Sequence, residues 1–273
     1  MADLRGKRAL VTGASSGIGA EIARLLAARG VDLVLTARRQ AALESVAAAC
    51  AQHGVRVDVI TADLGKPEAA HALWTAASAG GAIDICINNA GFGYFRPFAE
   101  IEWARDAEML QLNITSLVEL SLAFVRARAA APERAYLLNI ASIGAYQSVP
   151  NMAVYAASKA FVRNFTEALH DEHRGTPISA TVVCPGGTET EFHANAGAGN
   201  YGWVANASMM SAEKCARICV DAMEKGKRTV IPGLINKLSC FGVRLVPRRF
   251  ASWMARRVLG KPRPGALPSR SAA

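Results

Sequence analysis

The chain has 273 residues and a mass of 28.8 kDa, with 51% hydrophobic and 19% charged residues; this suits one large domain with a full core and excludes a disordered polymer. The formal charge of +9 sits entirely at one end, since residues 234–273 hold nine Lys and Arg and no acid while residues 1–233 hold 22 of each sign, so a generic nucleic-acid-binding surface is not indicated. No apolar run reaches the ~20 residues that span a bilayer, no signal peptide is visible, and six scattered cysteines predict buried thiols of a reducing compartment, with no metal site.

Residues 8–12 read as a short buried strand. It opens into Gly13-Ala-Ser15-Ser16-Gly17-Ile18-Gly19 and an Ala- and Leu-rich helix ending near Gly30, where glycine can take the left-handed cap. Glycines at a strand-to-helix turn let backbone approach a ligand, and the helix N-terminus favours a phosphate. A second strand, 31–36, stops at Arg38-Arg39. A helix runs to about 53, a third strand over 55–60 leads to Asp63-Leu64, and a helix covers 67–78. A fourth strand, 83–87, is capped by Asn88-Asn89-Ala90-Gly91, and helical patterns fill 99–130. A fifth strand, 136–140, leads to Ser142, and the helix that follows carries Tyr155 and Lys159 to about 173. Strand six, 178–183, ends at Pro185-Gly186; after a long loop come a helix at 212–225 and a last strand at 228–231.

Strict alternation of continuous apolar strands with helices predicts a parallel sheet covered on both faces. Ligands of such sheets bind beyond the carboxyl ends of the strands. Ser15, Ser16, Arg38, Asp63, Asn88, Ser142 and Thr190 all follow strand ends, and their convergence on one edge predicts a site. Tyr155 and Lys159 are four apart, hence neighbours on one helical face. A lysine cation there favours the phenolate and lowers the tyrosine pKa towards neutrality, where a phenol can donate or accept a proton. On a solvated surface the same spacing is unremarkable. Its surroundings give it meaning.

With Thr12-Gly-Ala-Ser-Ser-Gly-Ile-Gly19, Asn88-Asn-Ala-Gly91, Asn113, Ser142, Tyr155-x-x-x-Lys159 and Pro185-Gly186 with Thr190 in order, the sequence resembles the single-domain short-chain dehydrogenases/reductases over about residues 5–232. The resemblance implies a doubly wound, Rossmann-type α/β fold with a seven-stranded sheet in the order 3-2-1-4-5-6-7. It implies an NADP(H)-dependent oxidoreductase with Tyr155 as general acid and base. Ser142 would bind the substrate oxygen, Lys159 would hold the nicotinamide ribose, and Asn113 would hold a water linking Lys159 to solvent. The cofactor would be lined by Gly13, Ser15, Ser16, Gly17, Ile18, Gly19, Asn89, Ala90, Gly91, Pro185, Gly186, Thr188 and Thr190. Asp63 and Leu64 would meet the adenine. At the end of strand two, Arg38 and Arg39 stand in place of the acid that would bind an NAD ribose, and guanidinium groups suit a 2′-phosphate. Arg38 is the stronger candidate, since Arg39 can instead open the next helix facing solvent. A regulatory or scaffold protein that binds cofactor without turnover is the alternative, disfavoured by the complete catalytic set.

Phe92, Tyr94, Phe95, Ile143, Tyr146, Phe192, Trp203, Met209 and Met210 lie in loops at the active edge and predict an apolar pocket for a hydrophobic ketone or secondary alcohol, 3-oxoacyl or steroid-like. The domain is expected over 1–233, working in the cytoplasm as a homodimer or homotetramer. A basic helical extension is expected at 234–260, with a disordered tail at 261–273. Leu234, Leu238, Phe241 and Leu245 make one stripe before Pro247, and Phe250, Trp253, Met254 and Val258 a second. Packing on the domain or a second subunit and a peripheral anchor on the inner face of a membrane both remain open.

Overall fold

Why the strands are apolar throughout is visible in how their residues sort. A computed structural model describes residues 3–189 and 209–259 of the chain; Thr190, Phe192 and Trp203 lie outside them. In β1 (Arg8–Thr12), Ala9 and Val11 enter one core while Leu10 enters another. β2 (Asp32–Ala37) does the same with Leu33 and Leu35 against Val34, and β4 (Ile85–Asn88) with Ile85 and Ile87 against Cys86. The period of two carries apolar residues to both faces.

The first core is covered by α1 (Gly17–Ala27), α2 (Gln40–Ala51) and α7 (Ala212–Glu224). The second is covered by α3 (Ala69–Ala79) and α5 (Ser116–Arg128), which contribute Leu73, Leu120 and Phe124. With β3 (Val57–Thr61), β5 (Ala135–Ile140), β6 (Ile178–Val183) and β7 (Thr229–Val230), the strands form one seven-stranded sheet in the order β3-β2-β1-β4-β5-β6-β7. Every pairing in it is parallel. The expected order and class are those observed, and element ends agree to within about two residues, the ordinary scatter of helix and strand termini.

Two features were not legible. The stretch expected to be helical over 99–130 is broken: α4 (Trp103–Leu110) passes into α5 through a π-helical turn, Gln111–Thr115, centred on Asn113. By length and composition the run Trp103–Arg128 could cross a bilayer, which reading short apolar stretches overlooks. Here it is the crossover between β4 and β5, with Met109, Leu117, Leu120 and Phe124 buried. The second feature is a buried polar ladder. Asn88 donates to Asn139 Oδ1 (2.9 Å) and to Ser121 Oγ (3.1 Å), and Asn139 donates to Thr166 Oγ1 (2.9 Å). Asn88 was expected at the site edge. It is instead inside the sheet, because residue parity at the end of β4 turns its side chain into the core.

The C-terminal extension forms α8 (Leu234–Gly242) and α9 (Arg248–Leu259). Asn236, Cys240, Ala251 and Ala255 are their buried residues, and α8 lies against the turn Ile143–Tyr146. The apolar stripes, from Leu234 to Leu245 and from Phe250 to Met254, face outward. The smaller residues of each helix, and not the stripes, are the buried ones.

Candidate active site

The glycine-rich turn after β1 is built to be approached. A Cβ at Gly19 would stand 2.3 Å from the Gly13 carbonyl oxygen and 2.4 Å from Asn89 Nδ2, closer than real atoms come. Gly13 sits at φ +65°, a conformation that costs other residues. α1 then begins with no side-chain cap on Ser16 and no acid in its first turn. Its first N–H groups and the positive end of its dipole are left for an anion. A dinucleotide phosphate fits that cradle.

Asn89 joins the turn after β4 to this loop, donating from Nδ2 to the carbonyls of Thr12 (3.0 Å) and Gly13 (3.2 Å). The Thr12 hydroxyl accepts from the backbone N–H groups of Asn89 and Ala90, both at 3.0 Å, and donates to the Ile87 carbonyl. Asn89 thus holds the loop in shape with the amide that was expected to line the cofactor path. Sequence reading gave Thr12 no role, because a hydroxyl bridging two strand ends has no local signature.

At the end of β2 the two arginines reach different partners. Arg39 donates to Ser16 Oγ at 3.0 Å, so it does not simply face solvent as one reading allowed. Arg38 lies 3.5 Å from Glu108 of α4. Glu108 was missed, since nothing in sequence links it to a residue seventy positions away. Asp63 Oδ1 accepts from the Gly65 N–H at 3.1 Å, and the carbonyl of the buried Leu64 accepts from Ser116 Oγ at 2.7 Å.

The turn at Gly91 brings two further groups together. A Cβ there would meet Asn113 Oδ1 at 3.0 Å and Lys159 Nζ at 3.1 Å. Asn113 is fully buried; it donates to the Phe92 carbonyl and to Ser158 Oγ and accepts from the Phe92 N–H. Ser158 Oγ in turn donates to the Tyr155 carbonyl at 2.7 Å. The π-helical turn and these bonds fix Asn113 where a regular helix would not, as such turns often do at sites.

α6 (Ala153–Glu172) carries Tyr155 and Lys159. Lys159 Nζ donates to the Ile140 carbonyl at 3.0 Å and stands 6.0 Å from the Tyr155 ring centre. Burial lowers the Lys159 pKa from 10.5 to about 8, so the ammonium is still mostly charged at neutral pH. Ser142, which follows β5, caps the turn Ile143–Tyr146 by accepting from the Gly144 N–H at 3.1 Å. Gly144 lies near both Ser142 and Tyr155: a Cβ there would be 3.5 Å from Ser142 Oγ and 4.0 Å from Tyr155 Cε1. The Ile143 N–H donates to the Pro185 carbonyl at 2.9 Å, and Thr188 Oγ1 donates to the Gly186 carbonyl at 3.4 Å. The ends of β4, β5 and β6 therefore meet around one space.

The depressed Lys159 pKa has a sign that can be checked. Below pH 8 the lysine is charged in both folded and unfolded chains, and the folded protein carries the whole burial cost. Between the folded value of about 8 and the unfolded 10.5 the unfolded chain holds more proton, so stability rises with pH. The shift corresponds to about 3 kcal/mol. Urea unfolding of wild type and Lys159→Met should show wild type gaining about 2–3 kcal/mol relative to the variant between pH 7 and pH 10. A pH-independent difference would contradict the burial of a charged Nζ.

Phe92 and Tyr94 were expected to line a pocket. Both are buried and cluster with Met109, against Val154 and the ring of Tyr155, and the Tyr94 hydroxyl donates to Asp106. They back the tyrosine as packing. Phe95 is buried as well. Tyr146 lies under the Arg163 guanidinium, 4.4 Å from ring centre to Cζ, and burial raises its pKa. Gly93, unnoticed in the sequence, leaves room for the tyrosine ring: a Cβ there would lie 2.3 Å from Tyr155 Cδ2. Its signal was the Gly-Phe-Gly-Tyr run, in which small and bulky residues alternate.

Residues 7–201 match the short chain dehydrogenase family. Dehydrogenase/reductase SDR family member 7B of Rattus norvegicus is 32% identical over 267 residues, covering 93% of this chain and 82% of its own length. Among solved structures, a short-chain dehydrogenase from Sphingobium yanoikuyae in complex with NADPH is 30% identical with a TM-score of 0.78, covering 88% of this chain and 94% of that one. A 7beta-hydroxysteroid dehydrogenase is 27% identical with a TM-score of 0.83, covering 92% and 97%. By sequence match and by fold, the chain belongs to the short chain dehydrogenase family.

Proposed function

We propose that the protein is an NADP(H)-dependent oxidoreductase interconverting a ketone and a secondary alcohol on a hydrophobic body, with Tyr155 as the general acid and base. The observation that carries this reading is the meeting of Tyr155, Lys159, Ser142 and Asn113 at one sheet edge, beside an uncapped helix N-terminus. NADPH, when bound, would supply the hydride. Tyr155 gives its phenolic proton to the carbonyl oxygen. Because Ser142 Oγ already accepts from Gly144, its own hydrogen is free to be donated to the same oxygen as negative charge develops there. The Lys159 ammonium spends one hydrogen on Ile140, keeps a positive charge beside the phenol, and offers its remaining hydrogens to the nicotinamide ribose. Asn113 holds the Phe92 segment that backs Tyr155.

Arg39 beside Ser16, and Arg38 just before it at the end of β2, support the phosphorylated cofactor. The NADPH-bound short-chain dehydrogenase supports the cofactor, and the 7beta-hydroxysteroid dehydrogenase supports a steroid-like ketone. Leu122 on α5 and Phe161 on α6, both exposed, support a homodimer or homotetramer, which sedimentation velocity reads directly. Six unpaired buried cysteines support a cytoplasmic setting.

A panel of bulky and small ketones, followed by loss of reduced nicotinamide absorbance, tests the reading. Turnover with NADPH and a hydrophobic ketone is expected, and a panel with no turnover in either direction would overturn it. Arg38→Asp should shift preference from NADPH towards NADH by about tenfold or more, since a carboxylate repels a 2′-phosphate. An unchanged ratio would remove Arg38 from the cofactor site.

A further inference from the structure

The extension carries a surface unlike the rest of the chain. Leu234, Leu238, Phe241 and Leu245 are 72%, 63%, 58% and 72% exposed, and Phe250 and Trp253 stack on one another, half-exposed, on α9. Leu234, Leu238 and Phe241 recur along α8 at spacings of four and three, so they form one face and not scattered exposure. Lys237, Arg244, Arg248, Arg249, Arg256 and Arg257 stand among them, all exposed. Arg257 lies over the Trp253 ring at 4.9 Å. No acid occurs anywhere from 234 to 273.

These helices are not detached. Asn236 donates to the Pro232 carbonyl at 2.9 Å, and its amide lies where a Cβ on Gly186 would be, at 2.4 Å. Cys240 is buried. The inner face of α8 therefore rests on the Pro185–Gly186 segment and on the turn that follows Ser142. Its outer face remains to be covered.

The domain itself cannot cover it, since its contact is with the opposite face. A second copy meeting it symmetrically would set six cations against six with no acid between them, which is repulsive. A surface of anionic lipid takes both components: rings and leucines enter the acyl boundary while the basic groups meet headgroup phosphates. We propose that α8 and α9 dock this protein on an anionic lipid surface, holding the sheet edge with Tyr155 close to the bilayer.

The test uses the full chain and does not depend on turnover. Co-sedimentation is measured with phosphatidylcholine vesicles and with vesicles containing phosphatidylglycerol, at low and high salt. Light scattering reads the mass. Binding at least about tenfold stronger to the anionic vesicles is expected, weakening with salt. The pairs Leu238→Asp with Phe241→Asp, and Arg248→Glu with Arg249→Glu, should each reduce it by about tenfold or more with melting temperature and mass unchanged. Absent binding, equal binding to both vesicle types, or wild-type binding by the charge-reversed pair would overturn the proposal. A fall in mass on introducing the aspartates would instead make this face a subunit interface.

Discussion

Tyr155→Phe is expected to lower kcat by about 10²–10⁴-fold, the usual contribution of a positioned proton donor, with NADPH affinity little changed. The substitution removes one hydroxyl and leaves the ring, which packs with Phe92, Tyr94, Met109 and Val154. Lys159 keeps its bond to the Ile140 carbonyl and Asn113 its bonds to Phe92 and Ser158, because neither depends on the phenol. Folding and the cofactor cradle should therefore survive the loss of the proton. Cofactor titration by fluorescence, alongside steady-state rates on the best ketone of the panel, separates binding from chemistry. Near-normal turnover in this variant would mean that another group donates the proton, and the assignment of Tyr155 would fail.

Gly93→Ala is expected to be almost as damaging, although it adds a single methyl group outside the reacting atoms. That methyl would lie 2.3, 2.6 and 2.9 Å from Cδ2, Cγ and Cε2 of Tyr155. The ring is held by the Phe92 cluster, so it cannot retreat without leaving its place. Either the phenol swings away from Ser142 or the segment at 92–95 moves and takes the Asn113 contacts with it. Overpacking of this kind costs about 1–3 kcal/mol, a few degrees in Tm for a domain of this size. The loss in kcat should be larger, about a hundredfold, because a misplacement of about 1 Å is felt strongly in a catalytic geometry. Gly144→Ala is the control: its new methyl would stand 3.5 Å from the nearest atom, Ser142 Oγ, an ordinary contact. If Gly93→Ala keeps wild-type kcat, Tyr155 is not confined as described.

The parallel sheet and the edge at which the loops gather were legible because they rest on local signals, apolar runs of strand length and glycine punctuation, while the strand order came only with the family resemblance. What escaped depends on partners distant in sequence. Glu108 beside Arg38 and Thr12 beneath Asn89 have neighbours supplied only by the fold. Asn88 misled because a polar residue after a strand reads as a site residue, while its parity turned it into the core. The extension shows the limit of amphipathic pattern most clearly. The periodicity of α8 announces two unlike faces, but which one meets the domain was decided by steric fit. Asn236 and Cys240 come close where leucines could not.

The buried amide ladder bears on how the active site is kept in alignment. Hydrophobic packing alone forbids a one-residue slip between β4 and β5, because every side chain would change face. It does not forbid a slip of two, which restores the faces and displaces one strand by about 6.6 Å. Asn88 and Asn139 are direct register partners, and that slip would break the buried bond between their amides. The loops after these two strands carry Asn89–Gly91 and Ser142. The ladder thus acts as a vernier: it converts a sheet that could close at several settings into one whose proposed cofactor turn and proposed substrate-binding serine stand at a single fixed offset.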